Sequence, residues 1–385
     1  MTEDWTQRAA RLADELTAAG KLWSPQWQAA VCAVPRHALV PAYYRRTDHG
    51  WERADTSTPE GRARWLDLVY SNTALFTLPD GRSSSSMPGL MTRMLERLDI
   101  GDGHRVLEIG TGTGYNTALL SQRLGEDNVF SVDIEPELIA LARQRLAALG
   151  YHPTLTAADG ACGLTYHAPY DRILATCSVP RIPWPWVAQT SPGGLILADL
   201  KLATNAGNLV LLRRIEDRAE GHFEPTWGGF MPLRHHTPQP RRSPPPRDRS
   251  AAEQRTTSLD LPRPWENLVF WFVAQLLLPS DVSVGQTMDE TGQPADGYLA
   301  TPDGSWCEIT PHPDEHGNRR VLEAGPQRLW LTIEDAHRLW TSLGEPGWER
   351  FGVTVTREHH RVWLDHPDSH HSWQLRRQPE SDQLG

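Results

Sequence analysis

The spacing of apolar residues changes along the chain, and each change marks an element. Over residues 1 to about 30, Leu12, Leu16 and Leu22 recur among polar neighbours, which predicts an amphipathic helix. From 104 to 200, short apolar runs alternate with helical periodicity. "RVLEIG", "NVFSVDI", "YDRILATC" and "GGLILADL" read as strands. "NTALLSQRL" and "PELIALARQRLAAL" read as helices, the second with Pro136 near its first turn. Such alternation predicts a parallel sheet with right-handed crossovers. The stretch "TPQPRRSPPPRDRSAAEQRTT", 237 to 257, holds almost no large apolar residue and reads as an extended linker. Beyond it, "LVFWFVAQLLL", "GYLAT", "SWCEIT", "RLWLTI", "GVTVT" and "RVWLD" predict a smaller, tryptophan-rich α+β domain over 258–385. The expected division is therefore 1–236, a linker, and 258–385.

Composition narrows the class. With 385 residues, 22% charged and 39% hydrophobic, the chain suits two globular domains. Its net charge of −10 argues against a nucleic-acid partner, because phosphate binding rewards a basic surface. Lys21 and Lys201 are the only lysines among many arginines, which reads as genomic bias. Cys32, Cys162, Cys177 and Cys307 are scattered without a C-x-x-C pair, so neither a disulfide framework nor a cysteine–zinc site is expected. The start of the chain has no apolar signal region, and the longest apolar run, from Asn267, is too short to cross a bilayer. The expectation is a soluble cytoplasmic protein with no membrane partner. His235 and His236, His359 and His360, and His370 and His371 are adjacent pairs, which point to opposite faces of a strand, so no metal is expected.

The candidate chemistry lies in "VLEIGTGTGYNTALL", 106 to 120. A strand carrying Glu108 enters three evenly spaced glycines, Gly110, Gly112 and Gly114, and leaves as a helix. Dinucleotide sites favour G-x-G-x-x-G instead. About 20 residues past the loop, Asp133 ends "VFSVD", where an acid accepts the hydroxyls of a ribose. Asp159 and Gly160, in "AADGACGL", follow a third strand and place an acid near an adenine amine. Three such pieces in this order suit an adenosine ligand without phosphates, which is S-adenosyl-L-methionine.

With "VFSVDIEP", "YDRILATCSVPRIPWPWV" and "PGGLIL", the loop resembles protein-L-isoaspartate O-methyltransferases. "AVPRHALVP" (33 to 41) and "SSSSMPGLMTRMLERL" (83 to 98) match that family's two upstream motifs, so the resemblance spans about 28 to 234. It implies a class I methyltransferase: a Rossmann-like, mostly parallel seven-stranded α/β sheet, with S-adenosyl-L-methionine as cofactor and a peptide carboxylate as acceptor. By the same resemblance Gly110, Gly112 and Gly114 line the methionine portion, Asp133 holds the ribose and Asp159 the adenine edge. Ser86 falls on the family's active-site serine and Pro88 on its matching proline, with Ser84 and Ser85 beside them. Val179 and Pro180 fall on the substrate-side loop. A carboxylate with a pKa near 4 needs no general base at pH 7, so a missing His–Asp pair is no obstacle. Cys177 and the C-terminal tryptophans read as packing residues. Trp184 and Trp186 divide evenly between a peptide-groove floor and loop packing.

The departures carry information too. A run of four serines stands where the family reads S-x-P, and Asp199 and Lys201 replace a neutral valine–proline–valine pattern. The chain also continues for about 150 residues past "WGGFMPLR". That layout looks like the branch encoded with ATP-grasp ligases or lanthionine synthetases. That branch methylates an aspartate in a cyclised ribosomal (graspetide or lanthipeptide) precursor, and the ester closes to an aspartimide. The alternative is repair of isoaspartyl damage. A nicotinamide oxidoreductase is disfavoured by the glycine spacing, and a decayed peptide-binding scaffold by the intact loop, Asp133 and Ser86.

Overall fold

The computed structural model describes residues 5–235, 246–259, 266–289 and 294–376. Its main sheet has ten strands. From one edge they are Thr154–Ala157, Val129–Asp133, Val106–Ile109, Tyr170–Val179, Thr190–Lys201, Gly207–Ile215, Arg218–Phe223, Phe351–Val355, His360–Leu364 and Ser372–Gln374. The first five are parallel to one another and the rest pair antiparallel. The strands up to Phe223 supply the seven expected. The other three come from the C-terminal third.

Strand alternation decides what each face carries. Leu107, Ile109, Val132, Ile173, Ile196 and Leu200 pack into one cluster, with Phe270, Phe272 and Trp330 from the C-terminal third. Val106, Val129, Leu174, Leu195 and Leu197 pack on the other face, against the helices Trp5–Ala18, Pro25–Ala33, Pro88–Arg97, Tyr115–Leu124 and Pro136–Ala148. With a period of two, Glu108, Ser131, Asp133, Thr176, Asp199 and Lys201 fall on this second face, toward the carboxyl ends of their strands. Those ends are where ligands sit in open α/β sheets.

One expectation gains detail and two need correction. The N-terminal amphipathic stretch forms two helices, Trp5–Ala18 and Pro25–Ala33. Gly20, at φ +65°, turns the chain between them, while Leu12, Leu16 and Leu22 are buried as the pattern required. Residues 237–245 of the expected linker, and His236, lie outside the described residues. Glu253–Thr257, also read as linker, is the edge strand of a second, five-stranded sheet with Arg319–Ala324, Trp306–Ile309, Pro294–Ala300 and Ser283–Met288. Its outward side chains are polar because one face of an edge strand meets water. Finally, the C-terminal third does not stand apart from the catalytic sheet. Phe351–Val355 pairs with Arg218–Phe223, and Phe223 packs against Phe272 (5.1 Å between ring centroids) and Trp348 (5.4 Å). Trp330 and Trp348 are buried in this joint core, and Trp363 is buried on the other face of the sheet, against His222 and Thr354.

A chain ending at residue 235 therefore leaves Arg218–Phe223 as an unpaired edge with Phe223 uncovered, and both features promote aggregation. We expect it to be insoluble or to melt without cooperativity. Sedimentation and a thermal melt check this; a soluble monomer with one sharp transition contradicts it.

Candidate active site

A cavity of about 640 Å³ opens at the carboxyl ends of the parallel strands. That is within the size range of small-molecule sites. Glu108, Gly110, Gly112, Asp133 and Gly160 line one part of it, and Ser84, Ser85 and Ser86 another. Thr176, Cys177 and residues 226–234 add to the wall.

The glycine loop is shaped by what lies beneath it. Gly110 has φ +102°, and a Cβ there would fall 2.5 Å from Thr176 Oγ1, so only glycine fits. The Gly112 N–H donates to Asp133 Oδ2 at 2.9 Å, and the Glu135 N–H donates to Oδ1 at 3.1 Å. Each carboxylate oxygen keeps a lone pair for a ligand. Glu108 is 1% exposed. Its Oε1 accepts from Asn116 at 2.8 Å, and its Oε2 from Thr117 at 2.5 Å and Ser131 at 2.7 Å. Burial pushes its carboxyl up to about 7, opposed by those donors. Glu108 thus ties the loop's strand to the first turn of the next helix. Asn116 Oδ1 is buried beside the cavity with no partner among the described residues, an acceptor free for a ligand N–H.

The serine run is not a floppy loop. Ser84–Ser85 pairs with Leu75–Phe76. Arg36, fully buried, donates to the Ser85 hydroxyl and the Ser86 carbonyl, each at 3.1 Å, and to Val69 O at 2.6 Å. Its guanidinium lies 5.3 Å from the ring centre of Tyr115, on the helix that leaves the glycine loop. The Ser86 hydroxyl has no partner among the described residues, and Ser86 lines a cavity that the loop also lines.

Five residues expected at the site do not line the cavity. Gly114, at φ +85°, sits where a Cβ would be 3.3 Å from Leu146 and 3.4 Å from Ala142, so it serves helix packing. Asp159 caps a turn through the Ala161 N–H (2.9 Å) and faces the His235 ring (2.9 Å), leaving Gly160 at the cavity. Pro88 is buried at the first turn of its helix. Val179 is buried in the core of the opposite face, and Pro180 is exposed beside a separate, small cavity with Arg181 and Gln275. Trp186 is packed in the core, its indole N–H on Gly160 O at 2.8 Å.

The sequence reading missed a strap, residues 226–235, hung across the strand ends. Phe230 N–H donates to Asp199 Oδ2 (2.7 Å), and Lys201 Nζ to Phe230 O (2.8 Å). Ser178 exchanges bonds with Met231 and Leu233, both 2.8 Å. Buried Asp199 also faces Lys201 at 3.1 Å, and its burial raises its carboxyl pKa. The run "WGGFMPLR" holds this strap by its backbone, which leaves little periodicity to read. Among the described residues no helix is long and apolar enough to cross a membrane, and no group of three or more metal-ligating side chains gathers.

The sheet order, the glycine loop and the acid ending the second parallel strand define a class I S-adenosylmethionine-dependent methyltransferase. A solved structure named protein-L-isoaspartate O-methyltransferase shares the fold with a TM-score of 0.56 at 22% identity, covering 93% of this chain and 100% of its own. The protein-L-isoaspartate(D-aspartate) O-methyltransferase (PCMT) family matches residues 7–225. Protein-L-isoaspartate O-methyltransferase 1 of Archaeoglobus fulgidus is 34% identical over 229 residues, 58% of this chain and 90% of its own length. A protein-L-isoaspartate O-methyltransferase of Anaeromyxobacter dehalogenans is 41% identical over 182 residues, 46% and 86% of the two chains. The chain belongs to the protein-L-isoaspartate(D-aspartate) O-methyltransferase family: it is a carboxyl O-methyltransferase, and its cofactor is S-adenosyl-L-methionine. The fold match with the solved structure extends over the C-terminal continuation as well.

Glu108 generates a pH prediction. The unfolded chain gives up this proton near 4.5 and the folded chain near 7, so between those values only the folded state holds it. The stability it contributes is full below 4.5, declines as pH rises, and is gone above about 7. A tenfold change in proton affinity on folding corresponds to about 1.4 kcal/mol. Urea melts of wild type and Glu108→Gln at pH 5 and pH 8 test this. The wild type's advantage should shrink or reverse at pH 8, whereas parallel pH curves contradict the raised value.

Proposed function

We propose that the chain methylates an aspartate side chain in a cyclised, ribosomally made peptide, and that the ester then closes to an aspartimide. The observation that carries the reading is the juxtaposition at one cavity of the Gly110–Asp133 cradle and the serine strand Ser84–Ser85, followed by Ser86, whose hydroxyl has no partner among the described residues. The remade substrate side, with the serine run and the Asp199–Lys201 pair, favours a specialised peptide. Repair of isoaspartyl residues is the second reading, favoured by the relatives' names and by the solved structure that shares nearly the whole chain.

In this reading Asp133 accepts both ribose hydroxyls, Gly110 and Gly112 give the cofactor's methionine portion room, and Asn116 Oδ1 accepts from its ammonium. Gly160 lies against the adenine. Bound S-adenosylmethionine supplies a methyl group on a sulfonium, already a good leaving group. The acceptor is ionised at pH 7 and needs no base. Ser86 would donate one hydrogen bond to it and leave the other oxygen free for the methyl group. Transfer would form one C–O bond as the cofactor's C–S bond breaks, with the electron pair kept by sulfur. The later closure needs only the neighbouring amide nitrogen, which attacks the ester carbonyl while its proton leaves with methanol.

Two outcomes follow. Asp133→Ala should weaken S-adenosylmethionine binding by on the order of tenfold to a hundredfold, because charge-assisted hydrogen bonds to both hydroxyls are lost. Calorimetry decides it, and unchanged affinity places the ribose elsewhere. Ser86→Ala should bind cofactor normally yet transfer methyl roughly a hundredfold more slowly, since misplacement by about 1 Å has that effect. Ser85→Ala should instead lose stability, because its hydroxyl serves Arg36. Single-turnover methylation followed by mass, on a cyclised aspartyl peptide and on an isoaspartyl peptide, reads both rate and substrate. Equal rates for the Ser84→Ala and Ser86→Ala variants remove the role of Ser86. Methanol loss from the isoaspartyl peptide alone favours repair.

A further inference from the structure

Both lysines of the chain line the cavity. Lys21 stands at the head of the Pro88–Arg97 helix, where a Cβ on Gly89 would touch its stem at 2.7 Å. Its ammonium has no hydrogen-bond or ion-pair partner among the described residues. Lys201 lies under the strap, where a Cβ on Gly229 would be 3.2 Å from Nζ. Of its three N–H groups, Asp199 and the Phe230 carbonyl account for two, and the third is free for a ligand. The arginines of the same wall each have a partner, although the buried Arg93 Nε has none among the described residues. Arg82 pairs with Asp80, Arg234 with Glu135, and Arg93 donates to Trp227 O at 3.1 Å.

Around these cations the rim is apolar. Phe76, Met87, Trp227 and Met231 all line the cavity and stay 38%, 38%, 52% and 39% exposed. Large apolar groups at a concave mouth, beside cations with unused donors, suit a ligand that is acidic and apolar by turns. The rest of the molecule opposes such a ligand at long range, since the net charge is −10. An acidic peptide is held only if cations are concentrated where it docks, and the structure concentrates them here. Partly enclosed ammonium groups are also less screened by salt than those on an open surface.

We propose that Lys21 and Lys201 form a second carboxylate subsite. It holds an acidic side chain of the peptide next to the one presented to Ser86, while an apolar neighbour of that side chain packs on Trp227 and Met231. The proposal rests on the peptide-carboxylate reading above and specifies its substrate: an acidic peptide carrying more than one carboxylate. Asp199 is then a positioning residue, since it fixes both the Lys201 ammonium and the Phe230 N–H of the strap.

The test uses the full chain with S-adenosylhomocysteine and two fluorescently labelled peptides, one aspartate-rich with a single phenylalanine, the other its asparagine counterpart. Anisotropy at low salt should show the acidic peptide binding at least roughly tenfold more tightly. Lys21→Met should lose a few-fold of that preference. Because Lys201→Met alone strands a buried carboxylate, it is made with Asp199→Asn, and with Lys21→Met this combination should abolish the preference. Arg357→Met, exposed and remote in sequence from the cavity wall, controls for net charge and should keep the preference. Equal binding of both peptides by wild type, or a preference surviving in the combined variant, overturns the subsite. Thermal melts confirm that each variant is folded, and Lys21→Met carries the test if the combined variant is not. Methyl transfer to the same acidic peptide is assayed separately. A preference without transfer leaves the subsite standing and overturns the reaction reading, and transfer without a preference does the reverse.

Discussion

Arg36 is the joint between the two halves of the site. It is completely buried and has no carboxylate partner among the described residues. Burial lowers its pKa to about 10, which still leaves it charged at neutral pH. A buried charge of this kind persists only if oxygens surround it. Here they come from Val69, Ser71, Thr73, Ser85 and Ser86, and the Tyr115 ring closes one side. The constraint runs both ways, since a shift of the serine strand uncovers a cation. The acceptor side is thereby registered against the helix that begins at the cofactor loop.

Glu108 does the complementary work on the other side. It is a buried acid whose donors come from Ser131 on the next strand and from Asn116 and Thr117 on the following helix. Two buried ionisable groups thus fix the two walls, and neither is asked to move a proton in the reaction. This fits the chemistry. With an ionised nucleophile and a sulfonium leaving group, rate is gained from alignment, and alignment comes from backbone that cannot drift. The strap adds a third wall, tied to Asp199 through the Phe230 N–H and separate from the glycine loop.

Much of this was legible in the chain, for reasons particular to each part. Apolar runs of strand length separated by helical periodicity gave the parallel half of the sheet, and "VLEIGTGTGYNTALL" with Asp133 marked residues that line one wall of the cavity. Local pattern stops where contacts are distant. Arg36 meets the serine run about fifty positions away, and Phe351–Val355 pairs with Arg218–Phe223 across more than a hundred. Such pairings leave no periodic mark. Gly114 shows the opposite failure: its spacing resembles a ligand contact, but its missing Cβ makes room for Leu146 and Ala142. The two lysines were visible as rarities, yet only the fold shows that both line one cavity.

The central claim is that one cavity holds the cofactor against Asp133 and turns its reactive end toward Ser86. A crystal structure of the complex with S-adenosylhomocysteine tests it most directly. The account predicts both ribose hydroxyls within hydrogen-bond distance of the Asp133 carboxylate, and the thioether sulfur facing the Ser86 hydroxyl across open space. A ribose bound away from Asp133, or a sulfur turned from the serine strand, contradicts it.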